Sequence, residues 1–404
     1  MTVGEDAATL DWLASEAGRA ALATLPPYRD ADALALATTL RARLGAERAA
    51  ALLTQSRLAT RARPRFGALA DTVLFTPAGL EQASRPVVSA ARAARLAAAG
   101  GATAADLCAG IGCDALALVA AGLTVTAVEA DPWVAAVARH NLAGLPATVV
   151  VGDAAAADLT GVDLVYADPA RRDEDGRRFD PADYRPPLPA LLAVAGPRPL
   201  VVKAGPGIGH HQVPPGFEAQ WVSVDGAVVE AALWSPALAR PGIPRSALLL
   251  RTVDAQLTTS TEVTTAPADV PVGPVGRFVL EPDGAVIRAG LVGAVAAAVG
   301  GRLLDPRIAY VTTDEEAATP WARRFLVDAV APFAAKRLRA MLRERDASDL
   351  VVKTRGLGVD PVALRASMRL SGAGPAVTVL LTRVGDQPLM VLTTPLPSSG
   401  VTPR

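Results

Sequence analysis

Asp106-Leu-Cys-Ala-Gly110-Ile-Gly112-Cys-Asp114 is the stretch on which the reading of this chain turns. It follows a short apolar run, Thr103–Cys108, and leads into a helical one. A glycine turn between a strand and a helix lets the backbone approach a ligand closely and aims helix N–H groups at it. Alone, Gly110-Ile-Gly112-Cys-Asp-Ala115 also fits a dinucleotide fingerprint, so a nicotinamide-dependent dehydrogenase is one alternative. Asp106 separates the readings. A carboxylate at the end of the first strand repels a pyrophosphate and attracts a cationic ligand. At about 4 Å and an effective dielectric near 20, that attraction is on the order of 4 kcal/mol before desolvation. Asp114 is expected to add a second negative charge at the turn.

Outward from the turn, strand-like and helical stretches alternate. Thr124–Ala130, Ala147–Asp153, Asp163–Asp168 and Pro199–Lys203 are short and rich in Val, Leu or Ala. Between the second and third runs, Asp131 can cap a helix, Pro132 fits its first turn and Gly144 follows its end. Such alternation predicts a doubly wound, parallel α/β sheet. Gln220–Val224 and Ala227–Leu233 are joined by Asp225-Gly226, a hairpin signal that predicts an antiparallel pair at the sheet's end. Each early strand ends on an acid: Asp106, then Glu129 (followed by Ala130), Asp153 and Asp168. Open α/β sheets bind ligands at this carboxyl edge. Glu129 can accept from ribose hydroxyls and Asp153 from an adenine amino group, while Asp106 suits the ammonium and sulfonium region of S-adenosylmethionine.

The 404 residues exceed one compact core. The expected division is a helical region over 1–78, an α/β domain over 79–240 and an α+β region over 241–404. Prolines 236, 241 and 244 mark the second boundary. Lys+Arg and Asp+Glu both number 40, which excludes a histone-like basic protein but not a local basic surface. Residues 41–65 carry seven arginines against one acid, Glu47, and read either as a solvated helix face or as a phosphate-contacting patch. Two cysteines exclude a disulfide framework, and three histidines exclude a His-rich metal centre. No metal is expected. The N-terminus lacks signal-peptide character and no apolar run approaches the roughly 20 residues of a membrane helix, so a cytoplasmic protein with no membrane partner is expected.

The stretch from about 80 to 235 resembles the class I S-adenosylmethionine-dependent methyltransferases. Asp106–Gly112 matches their first motif, Glu129 their ribose acid, Gly152-Asp153 their adenine acid, and Asp168-Pro169-Ala170-Arg171 their catalytic loop. The resemblance implies a Rossmann-like sheet of seven strands with one reversed, S-adenosyl-L-methionine as cofactor, and cofactor contacts from Asp106, Cys108, Ala109, Gly110, Gly112, Asp114, Glu129, Ala130, Asp153 and Asp168. Catalysis is expected from Asp168, Pro169 and Arg171, with Asp168 holding the acceptor and taking its proton. The loop departs from the Pro-Pro-aromatic sequence of amine-modifying relatives. Cys108 and Cys113 read as packing residues rather than nucleophiles.

Glu281-Pro-Asp-Gly-Ala-Val-Ile-Arg-Ala-Gly290, Lys353-Thr-Arg-Gly-Leu-Gly358 and Leu80-Glu-Gln-Ala-Ser84 resemble bacterial methyltransferases with a C-terminal THUMP-like domain, here about 320–396. That resemblance implies a base of structured RNA, tRNA or rRNA, as substrate. Charge points the same way: residues 321–369 hold eleven basic and five acidic side chains. Lys336, Arg339 and Arg343 share a helix face at i, i+3 and i+7, and with Lys353 and Arg355 they form the expected RNA-binding surface. A methyltransferase of a small molecule or protein, or a non-catalytic RNA-binding module retaining the cofactor fold, remains the alternative.

Overall fold

The computed structural model describes residues 7–170, 172–173, 176–177 and 180–397. The chain forms two compact units. The first opens with helices α1 (Ala7–Ala14), α2 (Glu16–Ala23), α3 (Ala33–Leu44) and α4 (Ala46–Phe66). Short helix α5 (Pro77–Gln82) and helix α6 (Pro86–Ala97) lead from these to the sheet. Pro86 stands in the first turn of α6, where a missing N–H loses no hydrogen bond.

The sheet then builds as expected: β1 (Thr103–Leu107), α7 (Cys113–Ala120), β2 (Thr124–Glu129), α8 (Pro132–Asn141), β3 (Ala147–Val151), β4 (Leu164–Ala167), α9 (Leu188–Ala195) and β5 (Leu200–Ala204). These five strands are parallel. The Asp131 carboxylate caps α8 through the N–H groups of Trp133 and Val134. β6 (Glu218–Val224) and β7 (Ala227–Trp234) follow, and β7 runs antiparallel to β5. Asp225 and Gly226 between them both take positive φ, 53° and 85°, as a type I′ turn demands.

The order β6-β7-β5-β4-β1-β2-β3 contains the seven expected strands. Two more, β8 (Arg245–Val253) and β9 (Gln256–Val263), continue the sheet beyond β6 to make nine. The proline-marked boundary near 236–245 is therefore a connection within the sheet. Prolines stop a strand, but they do not tell a loop from a linker.

The second unit carries its own seven-stranded sheet. Its strands are β10 (Phe278–Pro282), β11 (Arg302–Asp305), β12 (Ile308–Thr313), β13 (Ala322–Pro332), β14 (Leu350–Thr354), β15 (Val377–Val384) and β16 (Gln387–Pro395), in the order β11-β12-β10-β13-β16-β15-β14. Only the last pair, β14 and β15, is parallel among the pairings described. Helices α10 (Gly284–Arg288), α11 (Val292–Ala298), α12 (Ala335–Glu344) and α13 (Pro361–Met368) complete it. Leu338 and Leu342 of α12 pack with Leu364, Met368 and Val379 in one core, leaving the opposite helix face to solvent.

In the first unit, Leu52, Leu58, Phe66, Leu74 and Phe75 share a core with Ile111 and Val137, so the helical region packs directly onto the glycine turn and α8. Asn141, the chain's one asparagine, ties the two together. Its oxygen accepts from the Leu74 N–H (2.8 Å), and its amide donates to the carbonyls of Leu74 (3.0 Å) and Ile111 (2.9 Å). Replacing Asn141 by Leu strands these backbone groups. The variant should lose on the order of 3 kcal/mol at about 1–3 kcal/mol per stranded group, read as a lower midpoint in urea denaturation.

Candidate active site

β1 lies between β2 and β4, with Asp106 in register beside Ala127 and Tyr166. Asp106 is 0% exposed, and neither of its carboxylate oxygens has a hydrogen-bond partner. Burial pushes its carboxyl well above the ordinary range, and neighbouring Asp114 and Asp168 push the same way. The turn that follows needs unusual backbone. Cys108, Gly110 and Gly112 take φ of 65°, 56° and 85°. A Cβ added to Gly110 would meet nothing within 4 Å, so that face of the turn is open to a ligand.

The strand-end acids converge here. Burial, followed by Asp168, Glu129, Asp106 and Asp153, drives the Cys108 thiol far above its ordinary value. Burial and Asp114 push Cys113 up to about 12. Neither sulfur is a thiolate nucleophile near neutral pH. Glu129 accepts from the Gly110 N–H (2.8 Å) with one oxygen and from the Asp131 N–H (3.0 Å) with the other. It thereby pins the turn to the end of β2, and each oxygen keeps a lone pair for a further donor. Asp153 is exposed and caps the turn after β3 through the Ala155 N–H (2.9 Å). Ala109, next to Gly110 in the sequence, is buried, and Ala130, next to Glu129, is exposed.

Asp114 corrects the sequence reading. It adds no open charge at the turn, because its carboxylate faces inward. Oδ1 accepts from Arg92 (2.5 Å) and Ser89 (2.5 Å), and Oδ2 accepts from Tyr166 (3.0 Å) and Ser84 (3.3 Å). Burial alone would raise its pKa, but Arg92 and then Lys203 prevail and hold it at about 2. Arg92 also pairs with Glu230 and lies 4.6 Å from the Tyr166 ring centroid. One residue's offset from the turn into α7 turns the side chain from the ligand edge to the core.

Asp168 follows β4, and its N–H donates to the Leu107 carbonyl (3.0 Å), holding the loop against β1. Its Oδ2 accepts from Lys203 Nζ at 2.6 Å, and its other oxygen accepts nothing among the described residues. Lys203, at the end of β5, is 3% exposed and also donates to the Gln82 carbonyl (3.1 Å). Burial alone would lower its pKa. Asp168, Glu230 and Asp114 outweigh this and hold it above the ordinary lysine value, so the amine is a fixed cation. Sequence reasoning missed this residue. Its signal was a charged side chain, one of three lysines, inside the apolar strand Leu200-Val-Val-Lys203-Ala. Pro169 is buried next to Asp168. Arg171 lies outside the described residues.

The five expected RNA-contact residues divide by partner. Lys336 and Arg343 stand exposed on α12 with no ion pair among the described residues. Arg339 is half-buried and donates to the Ser367 carbonyl (2.6 Å). Lys353 and Arg355 do not stand free as expected. Glu281 on β10 pairs with both, at 2.6 and 3.6 Å, and Arg355 lies 5.4 Å from the Tyr310 ring centroid. The motifs around Glu281 and Lys353, far apart in sequence, thus meet in one cluster.

A doubly wound sheet with a reversed seventh strand, a glycine turn after β1 and acids along its carboxyl edge define a cofactor-binding α/β enzyme of the methyltransferase type. Residues 322–395 match a THUMP domain-like family model, and residues 6–62 match a domain of unknown function. S-adenosylmethionine-dependent methyltransferases from two strains of Mycobacterium tuberculosis are 39% identical over 287 residues, covering 69% of this chain and 77% of theirs. The crystal structure of a Porphyromonas gingivalis W83 protein described as a methyltransferase covers 92% of this chain and 100% of its own, at 21% identity and a TM-score of 0.70. The chain belongs to the S-adenosylmethionine-dependent methyltransferases, and its cofactor is S-adenosylmethionine. Among the described residues no helix is long and apolar enough to cross a membrane.

The orphaned carboxylate of Asp106 fits a cofactor that carries an ammonium group, and the open face of Gly110 leaves room for it. Without that ligand Asp106 is a burden on stability. Its raised pKa means the unfolded chain gives up the proton first. The protonated carboxyl's contribution is therefore full below the ordinary carboxylate range and is lost as pH rises toward the raised value. Asp106→Asn should stabilise the cofactor-free protein at neutral pH by about 1–3 kcal/mol for one relieved buried group, read as a higher melting temperature. The gain should shrink toward zero as pH falls below about 4.

Proposed function

We propose that this chain methylates a base of structured RNA, tRNA or rRNA, in the cytoplasm. The observation that carries the RNA reading is the pair of exposed, unpaired cations Lys336 and Arg343 on α12, within the region that matches a THUMP domain-like family. Arg339 extends that face, and Lys353 and Arg355 contribute from the cluster at Glu281.

In this reading Asp106 receives the cofactor's ammonium, Glu129 its ribose hydroxyls and Asp153 its adenine amine, while Cys108, Ala109, Gly110, Gly112 and Ala130 line the turn around it. The bound cofactor supplies an electrophilic methyl group on a sulfonium. Asp168 offers its unengaged oxygen to the acceptor and takes its proton. Lys203, holding the other oxygen, fixes the carboxylate's orientation. Pro169 shapes the loop. Placing donor and acceptor in line supplies the rest of the rate.

Because burial raises the Asp106 carboxyl's pKa and a bound ammonium group would lower it again, cofactor binding should be accompanied by proton release from this group. Calorimetry in two buffers of different ionisation enthalpy reads this release, and Asp106→Asn should abolish it and weaken binding roughly tenfold or more.

The substrate reading is tested with methyl-tritiated S-adenosylmethionine and total RNA from cells lacking the gene, followed by nucleoside analysis. Label should appear in one modified base. Asp168→Ala should lower the rate by about 100-fold or more with cofactor affinity within a few-fold. Lys203→Met should lower the rate as well, and Lys203→Arg should restore part of it. Label in protein or small molecules and none in RNA would overturn the reading.

A further inference from the structure

The arginine-rich stretch 41–65 has a definite geometry. On α4, Arg57, Arg61 and Arg65 recur every four residues and so lie along one face. Arg57 and Arg61 are exposed, and neither makes a hydrogen bond or ion pair among the described residues. Arg85, half-buried at the start of α6, is equally unpartnered. Arg65 is half-buried and donates to the Leu80 carbonyl. Burial lowers its pKa, and Arg85 and then Arg61 lower it further. Arg65 thus feels both Arg85 and Arg61, with Glu81 the nearby carboxylate, and Arg57 stands one helical turn before Arg61. The remaining arginines of the stretch do not join this face in the same way. Arg63 pairs with Asp71, and Arg48 lies over the Trp12 ring.

Like charges four residues apart on a helix destabilise it by about 0.2–0.5 kcal/mol per pair. Here they accumulate with Glu81 as the one nearby carboxylate, an excess of positive charge that a polyanion relieves. The face also sits close to the chemistry. Arg65 holds the carbonyl of Leu80, and Lys203 holds the carbonyl of Gln82. These two carbonyls are two residues apart on α5, about 3 Å of helix rise. Lys203 in turn holds Asp168.

We propose that Arg57, Arg61, Arg65 and Arg85 form a second RNA-binding surface, which grips the phosphodiester backbone of the substrate beside the Asp168 loop. The N-terminal helices are then a substrate-positioning element rather than packing alone. Guanidinium groups suit this role because their planar forks bind phosphate through paired hydrogen bonds. The proposal rests on the RNA reading above and deepens it.

The test is fluorescence anisotropy with an end-labelled tRNA transcript, titrated between about 50 and 200 mM salt. The triple variant R57A/R61A/R85A removes the unpartnered members and leaves half-buried Arg65 in place. Its affinity should fall by roughly 10- to 100-fold at the low-salt end, with the salt slope reduced by about 2–3, near 0.7–0.9 per lost phosphate contact. Its melting temperature should match the wild type. The triple variant R57K/R61K/R85K should keep most of the slope. A wild-type slope in the alanine variant would overturn this surface and leave the RNA reading standing. Equal loss in the lysine and alanine variants would also overturn it, because it would signal damaged packing. No binding by the wild-type protein at low salt would sink both.

Discussion

A carboxylate buried without a donor is among the least favourable groups a folded core can hold. Asp106 is such a group, fixed by β-sheet register between Ala127 and Tyr166. It cannot swing to solvent, because a strand residue's direction is set by the pleat. Burial, with Asp114 and Asp168 nearby, raises its pKa well above the ordinary carboxylate range. The geometry of the turn then acquires a physical meaning. Gly110 leaves its face open above the buried acid, and Glu129 pins the Gly110 N–H so that the opening keeps its shape. A cation supplied from outside the chain, as proposed for the cofactor's ammonium group, would convert a destabilising group into a favourable contact.

Asp114 and Asp168 show how counter-charge placement divides similar acids into different roles. Asp114 accepts four hydrogen bonds and sits against Arg92, so it is saturated and held at about 2. Asp168 has one oxygen on Lys203 and the other unengaged. The first acid anchors α6 to the sheet through Arg92 and Glu230, and the second is left able to act. Lys203 and Arg92 bring two positive charges beneath the site, which keep the cluster of acids from expelling one another. Removing either cation would leave a buried negative charge uncompensated, a change that costs about 3–5 kcal/mol in buried ion pairs.

Much of this was legible before the coordinates. The strands from Thr103 to Ala204, the hairpin at Asp225-Gly226 and the glycine turn all followed from local signals: apolar run length, capping by Asp131, and glycine where φ must be positive. The row of strand-end acids was legible because strand ends are local features. The inward turn of Asp114 was not, since its direction depends on Arg92, 22 residues earlier, and on Tyr166, 52 later. Lys203 was passed over because its partner sits on another strand. Lys353 and Arg355 looked free because Glu281 lies 72 residues before Lys353. The strands β8 and β9 were hidden by prolines whose local meaning, a break, is the same at a loop and at a domain boundary. Each miss concerns a pairing over long sequence separation, which composition and periodicity do not encode.

The zero net charge carries a final constraint on how a polyanion could be handled. A neutral protein projects little field beyond a Debye length, about 8–10 Å at physiological salt. It cannot steer RNA from a distance as a uniformly basic protein would. Attraction must come from local patches, and a patch helps positioning only when it lies within that length of the reacting group. The carboxyl edge of the sheet is crowded with acids, and these repel a phosphate chain at short range. A polyanion approaching that edge would need cations at its border. The arginine face of α4 stands near that border, because Arg65 donates to the same short helix that Lys203 donates to.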